Sequence, residues 1–270
     1  MHMSTVLLSA LALVAYLVAT ASVSLRIFHP AGPHFKTTFS AASLAIVLHM
    51  LALTALLFTA DGQNFSLLNV ISLICWLITV AITVIALRTP TILLLPVVYG
   101  FASLVQLATL VTPQYSQIQH FEQHLSLLTH IFLAFIAYAV LVMAMLYSLQ
   151  VTYISNKLKR KDFTAVSRHM PPLVYAEKLQ FRLLLTGTIL LGLALLSGAL
   201  FMDNWLAKDN LHKNVLSFIA FLVFALLCWG HACQGWRGKT ANMLTISGSL
   251  LLTLAYFGSR FVREVLLDKF

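Results

Sequence analysis

The chain has 270 residues, of which 60% are hydrophobic and only 9% are charged. An ordinary soluble domain carries about 25% charged residues, so this composition excludes a soluble globular protein and predicts an integral membrane protein. The formal net charge of +9 indicates topology anchoring and no nucleic-acid partner, because in a membrane protein the location of Lys and Arg carries the information.

Eight apolar runs are long enough to cross a hydrocarbon layer as helices. They are too long and too uniformly apolar for barrel strands, and a backbone in lipid must satisfy its own hydrogen bonds. We therefore predict an all-α polytopic membrane helix bundle in the lipid bilayer, with a single transmembrane domain over residues 1–270. The first run lacks the charged start of a secretory signal, so we expect an uncleaved span. The predicted spans are 4–25, 38–59, 67–87, 91–111, 126–152, 182–202, 214–234 and 240–262.

The basic residues of the connections predict the orientation. Twelve Lys and Arg follow the first, third, fifth and seventh spans, whereas only two lie in the alternate connections. Cytoplasmic connections carry the excess of Lys and Arg, so we predict that both termini lie outside. Arg260, Arg263 and Lys269 in the tail favour the opposite orientation.

The connection 153–181 is the largest predicted cytoplasmic loop. Its basic run and Met170-Pro171-Pro172 should end a helix that extends past the membrane. Such a loop is either a solvated anchor beside an anionic leaflet or a docking site for another inner-membrane protein. On the outer side, residues 59–64 are predicted to form a turn.

Few residues in the spans can support chemistry. Cys75, Cys228 and Cys233 lie inside or at the end of apolar runs and form no Cys-x-x-Cys pair, so they are interpreted as packing residues. The chain has no Gly-rich phosphate loop, nucleophile elbow or His-Glu-x-x-His motif. We therefore assign no catalytic residue.

The histidines are the remaining candidates. His49 lies near the middle of the second span, where a neutral ring needs a hydrogen-bond partner or a metal. His130 begins the fifth span on the outer side, and His212 precedes the seventh span on the same side, so the two could meet. His231 ends the seventh span near the cytoplasm. Neutral imidazoles from separate helices among aromatic side chains are what axial haem ligation requires, although helix-to-helix hydrogen bonds remain an alternative.

A second group of histidines lies just before the fifth span. His120 and His124 are four residues apart, with Glu122 between them, so the two rings could share one helical face. This spacing suits a weak metal site, but an amphipathic segment at the membrane surface also explains it.

Several C-terminal motifs resemble a known family. A span is followed by Gly235-Trp236-Arg237-Gly238, and the next span ends with Tyr256-Phe257-Gly258. His130-Ile131-Phe132-Leu133 is followed by Ala137-Tyr138. Together these motifs resemble the cytochrome c assembly family of CcsA and CcmC type, membrane proteins that carry or hand over haem. The likeness covers nearly the whole chain and is most specific over 211–262.

The resemblance implies haem as the cofactor and suggests its ligands. The outer histidine of the family corresponds to His130, and a histidine of an early span corresponds to His49. His231 lies two residues after the family's later transmembrane histidine, which is Trp229 here, and His212 is a substitute for a missing outer histidine. The implied iron ligands are therefore His130 and His212 outside, or His49 and His231 within.

The family's tryptophan-rich motif is reduced in this chain. It falls between Gly198 and Lys213, and Trp205 is its one remaining tryptophan. We therefore expect an integral inner-membrane protein that binds or passes haem, in contact with other haem-handling proteins of that membrane, and not a complete haem lyase. The alternatives are a family member that has lost haem and acts as a membrane interaction or regulatory protein, and a transporter of small solutes or ions.

Overall fold

The computed structural model describes residues 3–27, 29, 32–59, 62–89, 92–112, 118–119, 125–161, 171–201, 208–258 and 260. Eight helices in this part of the chain are long and apolar enough to span a membrane, which confirms the predicted polytopic helix bundle. The helices are α1 (Met3–Ser24), α2 (Phe35–Leu57), α3 (Leu67–Arg88), α4 (Leu95–Val111), α5 (Leu125–Lys159), α6 (Leu173–Phe201), α7 (Lys208–Gln234) and α8 (Gly238–Thr253).

The helix bounds differ from the predicted spans mainly around the large basic loop. The α5 helix continues to Lys159, as expected for a helix that extends past the membrane. The α6 helix begins at Leu173, nine residues before the predicted span. It starts directly after Pro171-Pro172, since proline is tolerated at a helix start but not in the interior. Residues 162–170 of this loop lie outside the described residues.

A small antiparallel sheet lies at one end of the first four helices. Strands β1 (Phe58–Thr59) and β2 (Gly62–Asn64) form a hairpin, so the predicted turn at 59–64 is part of a strand pair. Strand β3 (Ile118–Gln119) pairs with β2 through Gln63 and Asn64. The sequence did not predict β3, because two residues are too few to show a strand pattern.

The helices group into two compact units. The N-terminal unit holds residues 1–120 and 154–172, and the C-terminal unit holds residues 121–153 and 173–270. In the N-terminal unit, α1 contacts α2 and α4, while α3 contacts the same two helices, so the four helices form a closed bundle. The single domain expected from composition stays a prediction.

The C-terminal unit contains a closely packed cluster of apolar side chains. At Gly187 of α6, a Cβ atom would lie 2.7 Å from the Leu141 side chain of α5. At Gly248 of α8, it would lie 2.7 Å from the Phe224 ring of α7. Both glycines let neighbouring helices approach closely, as small residues do in membrane bundles. The fully or nearly buried core residues are Ala137, Leu141, Ala144, Leu184, Leu191, Ala220, Phe224, Leu227, Ala241 and Leu252.

Candidate functional site

His130 lies at the start of α5 and is half-buried. Its Nδ1 atom is 3.0 Å from the Ser197 hydroxyl of α6, and that hydroxyl donates its one hydrogen to the Ala194 carbonyl at 2.8 Å. The Ser197 oxygen must therefore accept a hydrogen bond from His130 Nδ1–H. This contact holds the ring with its lone pair on Nε2, which is the arrangement of a metal-ligating histidine.

The two motifs that carry the family resemblance on α5 and after α8 pack against each other. Tyr138 and Phe257 meet edge-on, with ring centroids 5.5 Å apart. Phe135 and Tyr256 meet in the same way at 5.9 Å. The two C-terminal rings belong to a π-helical turn, Leu254–Gly258, that follows α8. An aromatic cluster therefore joins the two motifs, and it starts about 8 Å along α5 from the candidate histidine.

The register of α6 and α7 shows where His212 lies relative to His130. Three contacts define the register of these antiparallel helices: Phe181 with His231, Thr188 with Cys228, and Gly192 with Phe221. Five residues beyond Gly192, Ser197 is level with position 216 of α7. His212 is exposed and lies four residues farther, about 6 Å or one turn beyond that level. His130 and His212 are thus at the same end of the C-terminal unit.

His231 occupies the opposite end of α7. Its Nδ1–H donates to the Trp236 carbonyl at 2.9 Å, because a carbonyl oxygen can only accept. The imidazole also stacks on Phe181, with ring centroids 3.5 Å apart and planes 10° from parallel. Its lone pair therefore lies on Nε2, as in His130.

The turn at residues 235–239 is held by several contacts. The Trp236 N–H donates to the Gly230 carbonyl at 3.1 Å. The indole lies directly on Gly230, where a Cβ atom would be 2.4 Å from it. Gly235 and Gly238 have φ angles of +68° and +62°, in the left-handed region that favours glycine. The turn is also joined to α6 by an ion pair of 2.6 Å between Arg237 and Glu177.

His130 and His231 cannot bind the same haem iron. Ser197 marks the level of His130 along α6, and Phe181 marks the level of His231. Sixteen residues of helix separate these levels (197 minus 181), which is about 24 Å. Two axial ligands must reach a single iron atom, so the two histidines belong to separate places.

His49 lies in the N-terminal unit and is fully buried. Its Nδ1 is 3.1 Å from the Tyr16 hydroxyl, and its Nε2 is 2.9 Å from the Ser72 hydroxyl. Both ring nitrogens are thus engaged by α1 and α3, as in the hydrogen-bonding alternative from the sequence. Iron ligation by His49 would require one of these bonds to open. Its pairing with His231 stays a prediction, since the two residues belong to different units.

Some of the predicted site residues lie outside the described residues. They are Trp205, His120, His124 and Glu122. Within the described part of the chain, no group of three or more His, Cys, Asp or Glu side chains is placed to hold a metal ion. Haem iron needs only two axial imidazoles from the protein. The Nε2 lone pair of His130 fits the role of one such ligand.

Comparison with known proteins identifies the family. The model of the cytochrome C assembly protein family matches residues 37–267. The chain belongs to this family. It is 39% identical to the inner membrane protein YpjD of Escherichia coli over 259 residues, 95% of this chain and 97% of that protein. It is also 24% identical to the cytochrome c biogenesis protein CcsA of Prochlorococcus marinus over 159 residues, half of each chain. No solved structure matches the chain.

Family membership confirms the resemblance drawn from the C-terminal motifs. The hydrogen-bond partners of the histidines, in contrast, were not predicted from the sequence and are seen only in the structure. Ser197 is 67 residues from His130, and the sequence analysis did not predict it as a partner of this histidine. Tyr16 and Ser72 were not singled out at all. A hydroxyl side chain in an apolar span was the only sequence feature that could indicate a partner for a histidine. Many such hydroxyls instead donate to a carbonyl of their own helix, as Thr188 does to Leu184.

Proposed function

We propose that this chain is a bacterial inner-membrane protein that binds haem at the outer end of its C-terminal unit and holds or passes it. The observation that carries the proposal is the hydrogen-bond chain from His130 through Ser197 to the Ala194 carbonyl. These hydrogen bonds leave the Nε2 atom of the half-buried His130 imidazole available to iron. Membership in the cytochrome c assembly family and the similarity to an inner membrane protein support the cofactor and the location.

His212 is the proposed second ligand. It is exposed at the same end of the unit, about one turn beyond the level of His130 along α7. In the sequence, Trp205 falls between the end of α6 and the start of α7, so it is the proposed aromatic contact for the porphyrin. Haem, when bound, supplies an iron that accepts axial imidazoles and changes redox state. The residues of the chain orient and hold it.

The reduced tryptophan-rich segment argues against a complete haem lyase. Attachment of haem to an apocytochrome should need a broad aromatic platform, and residues 203–208 read Asp-Asn-Trp-Leu-Ala-Lys, with one indole only. We therefore propose binding or transfer of haem, without formation of its covalent bonds by this chain.

The test is haem binding by the detergent-purified protein. Hemin added under reducing and oxidising conditions should produce a Soret band. His130→Ala should abolish this band or lower the affinity for hemin at least tenfold. Ser197→Ala should weaken binding by about tenfold, because loss of the orienting partner typically costs 10–100-fold. His212→Ala should also weaken binding. A wild-type protein that stays colourless, or a His130→Ala protein that binds like the wild type, would overturn the proposal.

The matched control is His29→Ala, which removes an exposed histidine of the N-terminal unit. It should leave the Soret band unchanged. Thermal unfolding of each variant shows whether a weaker band reflects a lost ligand or a lost fold.

A second candidate function is suggested by the ordered turn at 235–239. Arg237 remains 54% exposed despite its ion pair with Glu177, and Lys239 is also exposed. A rigid basic turn suits a docking role in a protein that has lost haem. In that case, hemin should give no Soret band, and another membrane protein should co-purify with the wild type but not with an Arg237→Ala, Lys239→Ala variant.

A further inference from the structure

The α6 helix presents a continuous apolar stripe that is exposed in the part of the chain that the structure describes. Its members recur every three or four residues and are 48–67% exposed: Leu185, Ile189, Leu193, Leu196 and Leu200. Such spacing places all of them on one face of the helix. Lys178 and Arg182 continue this face toward the N-terminal end of α6, and both are exposed. The lipid-facing stripe therefore ends in two basic side chains.

The two positive charges at the end of the stripe are not compensated by the neighbouring acid. Glu177 is largely buried and pairs with Arg237 at 2.6 Å. Among the residues that the structure describes, neither Lys178 nor Arg182 forms an ion pair. They lie four residues apart, or about one helical turn, so a single anionic group can contact both.

The α7 helix adds a second wall on the same side. The contact line between α6 and α7 includes Phe181 on one helix and Cys228 on the other. One residue farther along a helix, the side chain is rotated by about 100° around the helix axis. Because the two helices are antiparallel, the residues that directly follow two contact residues lie on the same side of the helix pair. Arg182 and Trp229 follow the two contact residues, so both lie on the same side of the helix pair, along the groove between the two helices. Trp229 is 53% exposed, and tryptophan is enriched where the bilayer meets water.

We propose that this groove between α6 and α7 binds an anionic phospholipid. Its headgroup lies on Lys178 and Arg182, its glycerol region lies beside Trp229, and its acyl chains follow the apolar stripe. Basic residues near a membrane surface attract anionic lipid by about 1 kcal/mol each, or roughly fivefold in affinity. A second copy of the chain is disfavoured, because a two-fold interface on this face would bring two basic pairs together.

Fluorescence quenching by lipids with brominated acyl chains tests the proposal in nanodiscs of the full chain. Brominated phosphatidylglycerol should quench the wild-type protein more than brominated phosphatidylcholine does. The difference should disappear in Trp229→Phe, which identifies the tryptophan responsible. In Lys178→Gln, Arg182→Gln the preference should fall by roughly 25-fold in affinity, about fivefold for each charge removed.

Arg88→Gln is the matched control, since it removes an exposed basic residue at the end of α3, outside the stripe. It should leave the preference for phosphatidylglycerol unchanged. Equal quenching by the two lipids, or a preference that survives in Lys178→Gln, Arg182→Gln, would overturn the assignment. A dimer in native mass spectrometry that excludes lipid and is lost in Ile189→Asn, a substitution within the stripe, would overturn it in favour of a second copy.

Discussion

At the residue scale, the histidines of this chain differ in what their ring nitrogens contact. His130 and His231 each donate from Nδ1, to a serine oxygen and a backbone carbonyl, and keep a lone pair on Nε2. His49 is fully buried, and each of its ring nitrogens lies within hydrogen-bond distance of a hydroxyl group. Residue type alone therefore does not mark an iron ligand, and the second nitrogen has to be free as well.

The contacts of His49 predict a structural role. His49→Leu should lower the free energy of unfolding by about 2–4 kcal/mol, since it leaves the buried hydroxyls of Tyr16 and Ser72 without this partner. Reversible unfolding in mixed micelles measures the change, with His29→Leu as the exposed control. The haem band should keep its intensity per folded protein. A variant of unchanged stability that loses the band would instead make His49 a haem ligand.

At the scale of elements, three glycines and the indole of Trp236 determine the packing of the α7–α8 hairpin. Gly230 allows the Trp236 indole to lie on α7, and the left-handed Gly235 and Gly238 allow the chain to reverse. The imidazole of His231 then caps the Trp236 carbonyl. The sequence motif of this turn is thus explained by packing, whichever function the protein has.

Gly230→Ala tests the packing of this hairpin. A methyl group there would lie 2.4 Å from the Trp236 ring, and such overpacking costs about 1–3 kcal/mol of stability. Gly100→Ala is the control, because its added methyl group meets only Thr20, at an ordinary 3.8 Å. Unfolding of both variants in mixed micelles makes the comparison. Equal effects of the two substitutions would show that the indole moves away at little cost.

At the scale of the whole molecule, the eight helices form a polytopic bundle whose orientation rests on charge. Lys157 and Lys159 extend α5 past its apolar part, and Arg237 and Lys239 lie after α7, so the two connections carry the same sign of charge. By the excess of Lys and Arg in cytoplasmic connections, we expect both to lie inside and both termini to lie outside.

Cysteine labelling tests this orientation. Cys233 is exposed at the end of α7, so in a Cys75→Ser, Cys228→Ser background it should react with a membrane-impermeant maleimide only after cells are permeabilised. Thr59→Cys, placed on exposed β1 in a variant that also carries Cys233→Ser, should react in intact cells. The reverse pattern would invert the topology and place His130 on the cytoplasmic side.

The sequence by itself determined the membrane class, the number of helices and the family. Apolar length and the location of basic residues are properties of consecutive residues, and the Gly-Trp-Arg-Gly and Tyr-Phe-Gly motifs are local too. The sixth span was predicted to begin at residue 182, whereas α6 begins at Leu173, because Glu177, Lys178 and Arg182 interrupt the apolar pattern of a helix that continues beyond its apolar part.

Only the tertiary structure decided which nitrogens remain available and which helices meet. The bond from His130 to Ser197 spans 67 residues, and that from Tyr16 to His49 spans 33. Such contacts depend on helix register and rotation, which an almost uniformly apolar span leaves open. The fold therefore separates His130 from His231, places a hydroxyl group near each ring nitrogen of His49, and puts Arg182 and Trp229 on the same side of the α6–α7 pair.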